Sequence, residues 1–327
     1  MAGRRAGIGI DLPRHALSGR RVGRALRGCI ALLLLLPTCL TAQTRVTRTR
    51  IEAIACGTRA DALGDTRGGA ASRSVTVTPR LAWRGSQGVQ IAEWPVTLGT
   101  RGVRARMIVV DIDPSLVALS LEIARDADAP LPWSLDDAPS DALVAFNAGQ
   151  FTDDGPWGLV VHRGRTWQSA GRGPLSGGVV IDSAGRVSIS GSARLDVVRA
   201  AGGVQEALQS YPLLLENDRP PALLCSATAD FDRTHRDIRF AIGTRADGHV
   251  LLALSRYEGV GAISERVPIG PTTPEMSELM RRLGARDALM LDGGLSAQLL
   301  VREGSAVRRW EGFRRVPLAI VGRRIAR

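Results

Sequence analysis

The segment ALMLDGGLSAQLLV (residues 288–301) decides how the rest of the chain is read. One apolar run, Ala288 to Leu291, enters Asp292-Gly293-Gly294, and a second run leaves it and ends at Val301. Apolar runs this short, bounded by turn residues, predict strands. A helix is predicted just upstream. Thr273 caps it, Pro274 suits its first turn and Glu275 favours the positive end of its dipole. Met276, Leu279, Met280 and Leu283 share one face, and Gly284 stops it. An aspartate held at a strand end beside two glycines is partly desolvated yet reachable by a ligand.

Working outward, the same pattern of short apolar runs and glycine turns recurs. Strands are predicted over 107–113, 116–123, 142–146, 158–162, 178–182, 186–190, 239–244 and 250–255, with hairpin turns at 182–185 and 245–248. Many strands and few helices predict an α+β fold, a single domain with a large mixed or antiparallel β-sheet core. A second glycine-rich corner follows the strand at 142–146: Asn147-Ala148-Gly149-Gln150-Phe151, continuing through Asp153, Asp154 and Trp157 to Gly158. Here too a buried strand runs into a turn with polar groups at its mouth.

The chain has 327 residues, 44% apolar and 23% charged, which excludes collagen-like, coiled-coil and wholly disordered classes. Its net charge of +11 is unevenly spread. Residues 1–50 carry ten Arg against the single acid Asp11, whereas residues 51–327 carry 33 Arg and 31 acids. The body is nearly balanced, so no nucleic-acid partner is expected. All 43 basic residues are Arg, and the absence of Lys removes Schiff-base, P-loop and lysine-base mechanisms. No Gly-x-Ser-x-Gly elbow is present, and Asp111-Ile112-Asp113 lacks the lysine of phosphoaspartate hydrolases.

Basic residues at Arg20, Arg21, Arg24 and Arg27, an apolar run from Cys29 to Leu36, and Leu40-Thr41-Ala42 predict a signal peptide over residues 1–42, with a membrane anchor as the alternative. The expected location is secreted or periplasmic. Residues 43–75 read as a linker and 76–327 as the folded domain. Cleavage near Ala42 leaves Cys56 and Cys225, which either pair as one disulfide closing a long loop or stand as unrelated thiols.

Five segments in order resemble the phosphodiester glycosidase family: Asn147–Phe151, Gly158–Gly164, Tyr211–Glu216, Arg239–Gly243 and Leu291–Ser296. The strand from Val109 to Pro114 resembles that family's opening strand, and the likeness covers about residues 88–322. Some positions differ from the family pattern. Leu295 stands where a third Gly is usual, Gln150 where an apolar residue is usual, and Phe240 where Thr is common. Glu216-Asn217-Asp218 replaces the more usual Asp-Gly turn.

The resemblance implies hydrolysis of the bond between a sugar's anomeric carbon and a phosphodiester oxygen, through an oxocarbenium-like transition state. On that reading Arg239 holds the phosphate, because a guanidinium matches its oxygens two at a time. Asp292 is base or nucleophile, and Asp154 the second carboxylate. Asn147, Gly149, Gly293, Gly294 and Ser296 orient substrate. His235 and Arg236 line the same cleft, and Trp157 either stacks on a sugar ring or packs under its loop. Glu216 is a third acid or simply a turn residue. No cofactor and no metal are expected, and the expected partner is a glycosyl phosphodiester or envelope glycan. The alternative is an inactive glycan-binding or envelope-assembly module of the same fold.

Overall fold

The computed structural model describes residues 47–54, 79–86, 88–123, 132–226, 231–259 and 267–326. The signal peptide read over residues 1–42 lies outside them, as does Cys56; Cys225 is disulfide-bonded. Among the described residues no helix is long and apolar enough to cross a membrane.

The strands form three sheets and a small hairpin. The largest sheet contains β1 (Thr49–Ile51), β2 (Arg84–Ser86), β3 (Val89–Leu98), β4 (Val103–Ile112), β14 (Leu213–Leu215), β15 (Phe240–Thr244), β16 (Val250–Tyr257) and β17 (Asp287–Met290). Their order is β1-β3-β4-β16-β15-β17-β14, with β2 also on β3. A second sheet is built from β5 (Val117–Ile123), β6 (Ala142–Asn147), β18 (Leu299–Glu303), β19 (Ala306–Trp310) and β20 (Leu318–Arg324). The third comprises β9 (Val160–His162), β10 (Arg165–Gln168), β11 (Gly177–Asp182), β12 (Val187–Gly191) and β13 (Val204–Ser210). The hairpin pairs β7 (Phe151–Thr152) with β8 (Gly155–Pro156). Only β1, parallel to β3, departs from antiparallel pairing among these strands, so the expected α+β class with a mixed sheet core is what forms. The segment read as a linker thus contributes a strand.

Both faces of the large sheet are covered, and this explains the almost unbroken apolar sequences of β15 and β16. Along β4, Met107 and Val109 join a cluster with helix α3 (Thr273–Arg282). Their neighbours Ile108 and Val110 join the main core, where Phe146, Val179 and Leu299 arrive from the other two sheets. Side chains alternate across a strand, so a strand with helix on one side and sheets on the other is apolar at every position. Two further helices, α1 (Ser192–Ala200) and α2 (Ala222–Cys225), were not apparent from the sequence; in each a single leucine is buried.

The cap of α3 is Thr272 rather than Thr273. The acid three residues on sets the choice: the Glu275 amide donates to the Thr272 hydroxyl at 3.4 Å, and the Thr272 amide donates to the Glu275 carboxylate at 2.9 Å. The same buried carboxylate receives both terminal nitrogens of Arg236, at 2.7 and 2.8 Å. Removing it leaves the half-buried Arg236 without its counter-charge and the capping box with the Thr272 hydroxyl alone. Glu275→Ala is therefore expected to cost about 3 kcal/mol or more in urea unfolding, against about 1 kcal/mol for the cap alone. A loss no larger than the cap's would show that the ion pair contributes nothing.

Candidate active site

The two glycine-rich corners meet directly. At the end of β6, Asn147 is fully buried, and both ends of its amide are used. Its Nδ2 donates to the Asp292 carbonyl at 2.8 Å, and its Oδ1 accepts from the Gln298 amide at 2.9 Å. The Asp292 amide in turn donates to the Ala148 carbonyl at 3.0 Å. The loop between β17 and β18 is thus pinned at both shoulders. Gly149 follows, and a Cβ there would stand 2.7 Å from the Gln209 carbonyl, so the close approach to β13 requires glycine.

Alongside runs the segment leading into β15. The Leu291 amide donates to the Phe240 carbonyl and the Gly294 amide to the Ile238 carbonyl, both at 2.8 Å. This ladder sets Arg239 and Asp292 on neighbouring strand ends. Phe240 turns inward onto Phe146, ring centroids 5.8 Å apart, which sends Arg239 outward. A Cβ on Gly293 would lie 2.5 Å from the Ile238 carbonyl, so this corner also tolerates no side chain.

A cavity of about 310 Å³ opens at these strand ends, lined by Arg239, Asp292, Gly293, Gly294 and His235 from the sequence reading, together with Asp237, Tyr211 and Gln150. Burial pushes the Asp292 carboxyl up to about 6. Hydrogen bonds from the Ser296 hydroxyl and Gly293 amide and the charge of Arg314 offset this, while Asp237 adds to it. Burial also lowers the Arg239 guanidinium from its ordinary value, with Asp237, Asp232 and Tyr211 acting the other way. Arg239 is held by two carbonyls, Pro271 at 3.3 Å and His235 at 2.8 Å, and has no carboxylate ion pair among the described residues. Its charge is available to an anion. Tyr211 is raised by burial and by Asp292.

Several expected roles change. The Gly293 amide donates to the Asp292 carboxylate and the Gly294 amide to the Ile238 carbonyl, so both donors have partners within the protein. Asn147 holds the Asp292 backbone carbonyl, and the Ser296 hydroxyl donates to the Asp292 carboxylate. His235 contributes its carbonyl to Arg239 while its ring sits on the rim, 4.0 Å from Asp237. Arg236 is committed to Glu275. Asp154 is not among the lining residues: it sits exposed at the β7–β8 turn, where its amide donates to the Thr152 hydroxyl. Trp157 packs edge-on against Tyr211, ring centroids 5.4 Å apart. Glu216 closes a turn with Arg219.

Further residues were missed. Asp237 and Asp232 bring two more carboxylates to the cavity, Asp237 two residues from an arginine already singled out. Arg314 lies over the Phe151 ring at 4.8 Å, and its amide donates to the Leu295 carbonyl at 3.1 Å, which brings its charge to Asp292. Gln150 is explained as well: it accepts from the Ser210 hydroxyl at 2.6 Å and donates to the Tyr211 carbonyl at 2.8 Å, fixing the wall that carries Tyr211. Among the described residues, no group of three or more His, Cys, Asp or Glu side chains gathers to hold a metal ion.

Fold and cavity together define a β-rich α+β protein with an acid–arginine site. The sequence matches the phosphodiester glycosidase family over residues 140–322, and the chain belongs to that family. The catalytic domain of zebrafish N-acetylglucosamine-1-phosphodiester alpha-N-acetylglucosaminidase, described as auto-inhibited by its pro-peptide, has a similar fold, with TM-score 0.55 and 14% identity over 75% of this chain and 88% of that one. A Synechocystis protein aligns with TM-score 0.46 and 18% identity, over 75% of this chain and 64% of that one. A Burkholderia pseudomallei protein described as exported aligns with TM-score 0.47 and 15% identity, over 68% and 74%. No curated protein sequence is similar enough to count as a match.

The raised Asp292 carboxyl has a consequence for stability. The folded chain keeps this proton to higher pH than an unfolded aspartate does, so ionisation destabilises the fold as pH rises from about 4 to about 6. Above that window the penalty is complete, on the order of 2–3 kcal/mol. Asp292→Asn is neutral at every pH and is expected to unfold at higher urea than the parent at pH 8, with little difference at pH 4. An equal gain at both pH values, or none at pH 8, would contradict the burial of a charged carboxylate.

Proposed function

We propose that this protein hydrolyses glycosyl phosphodiesters, breaking the bond between the anomeric carbon and the phosphate oxygen. What carries the reading is a guanidinium without an ion pair among the described residues and a carboxylate of raised proton affinity in one cavity, in a chain of the phosphodiester glycosidase family. Arg239 holds the scissile phosphodiester through the N–H groups that the Pro271 and His235 carbonyls leave over, and stabilises the phosphomonoester that leaves. That leaving group is acidic enough to depart with little proton donation, so the demand falls on the other face of the sugar. There Asp292 acts as base or nucleophile, and Asp237 replaces Asp154 as the second carboxylate. Burial of Asp292 leaves it ionised at neutral pH yet more basic than an exposed aspartate, which strengthens it in either role. The basic, apolar and small-residue order of residues 1–42 supports export, and with it an extracellular or periplasmic glycan as substrate.

The test is release of free sugar from an aryl glycosyl phosphodiester. Arg239→Gln and Asp292→Asn are each expected to lower kcat/KM by about 10³-fold or more while remaining folded. In the parent enzyme, kcat/KM should rise with pH through a midpoint near 6, because the ionised Asp292 is the working form. A rate that falls as pH rises through 6 would make Asp292 an acid instead. Undiminished turnover in both variants would remove the assignment.

A further inference from the structure

Residues 232–237 and 271–274 form a wall with two working faces. His235, Asp237 and Thr273 line the cavity that holds Asp292. Their chain neighbours Arg233, Thr234, Arg236, Thr272 and Pro274 line a second cavity of about 610 Å³ on the other side. Two arginines clamp the wall from opposite faces. Arg239 holds the Pro271 and His235 carbonyls, and Arg236 holds the Gly270 carbonyl at 3.0 Å along with Glu275. The turn between β3 and β4 borders the second cavity and brings Thr100 and Arg101 to it. It packs so closely that a Cβ on Gly99 would stand 2.7 Å from the Arg236 guanidinium and 2.8 Å from the Glu275 carboxylate.

Charge in this second cavity is unbalanced. No acid occurs among its described lining residues. Glu275 neutralises Arg236, but among the described residues Arg233 makes a 3.3 Å bond to the Leu224 carbonyl and no ion pair. Arg101 lies exposed with no ion pair among the described residues. Among the described residues, two guanidinium groups therefore line a shared cavity with no carboxylate paired to them, and the segment that carries Arg233 leads on to Arg239.

We propose that this cavity is a subsite for a second phosphate, carried on the aglycone of the substrate. The inference rests on the proposed glycosidase reading and narrows it. A phosphodiester held at Arg239 abuts the wall, the sugar lies toward Asp292, and the departing portion continues across the wall to Arg233 and Arg101. The substrate class is then a glycan bearing repeated phosphates rather than a neutral oligosaccharide with one.

Two aryl glycosyl phosphodiesters with the same sugar test this, one with a neutral aryl group and one whose aryl group carries a second phosphate. The wild-type enzyme is expected to show a KM about tenfold lower for the doubly charged compound, from two partly exposed guanidinium–phosphate contacts. Arg101→Gln/Arg233→Gln should abolish that preference and leave turnover of the neutral aryl compound unchanged. Calorimetry with inorganic tripolyphosphate supplies a readout free of catalysis, with binding expected about tenfold weaker in the double variant. Equal KM values in the wild type, a preference that survives in the double variant, or unchanged tripolyphosphate binding would overturn the subsite. Absence of cleavage of either compound, with tripolyphosphate binding weakened as expected, would instead remove the glycosidase reading and leave the anion site standing.

Discussion

One side-chain amide holds the site together. Asn147 donates from one end to the carbonyl of Asp292 and accepts at the other from the amide of Gln298, so the loop between β17 and β18 is gripped before and after its glycines. A carboxamide offers a donor and an acceptor on one short planar group. An aspartate here would present acceptors alone, and the buried Asp292 carbonyl would lose its partner. The grip has a structural cause further back. β6 lies between β18 and β20, and β17 between β15 and β14, so the two strand ends come from different sheets. Asn147 is where those sheets are tied.

Electrostatics at the corner follows from this packing. With its backbone drawn inward, Asp292 loses solvent, and its carboxyl holds its proton to about 6 despite two hydrogen bonds and a nearby arginine. Arg239 is desolvated on the next strand, and among the described residues its side chain is held by two backbone carbonyls. A fold selected for stability alone would pair that guanidinium with an acid. Here the acids stand around it rather than on it, which leaves room for an anion between them. The wall that orients Arg239 is the same one that carries Arg233 and Arg236 on its far face, so both cavities depend on one stretch of chain.

Much of this was legible in the sequence, and what was not has physical reasons. The strand–Asp–Gly–Gly–strand segment and the helix before it stood out because buried strands and amphipathic helices impose period and punctuation. Thr272 and Thr273 could not be separated by cap preference; the distance to Glu275 decides between them. β1 is three residues long in a polar segment and carries no alternation, so only its pairing with β3 reveals it. Asp154 was placed by the family resemblance, three residues past Phe151, but the β7–β8 hairpin turns it into solvent. Asp237 lies in an aperiodic stretch, and nothing local marks it until the ladder between residues 238–240 and 291–294 places it in the cavity. The glycine amides misled in a different way: sequence shows that a close approach is possible there, but not that the protein's own carboxylate and carbonyl take both donors.

Asp292 sits half-buried and ionisable at the junction of the two corners, and the chemistry of the site follows from it. The most direct measurement is a carboxyl-carbon NMR titration of Asp292 in the intact protein. A midpoint near 6 is expected. A midpoint near 4, the value of an aspartate in free solvent, would mean that the carboxylate is not enclosed and that the two corners do not form the pocket described.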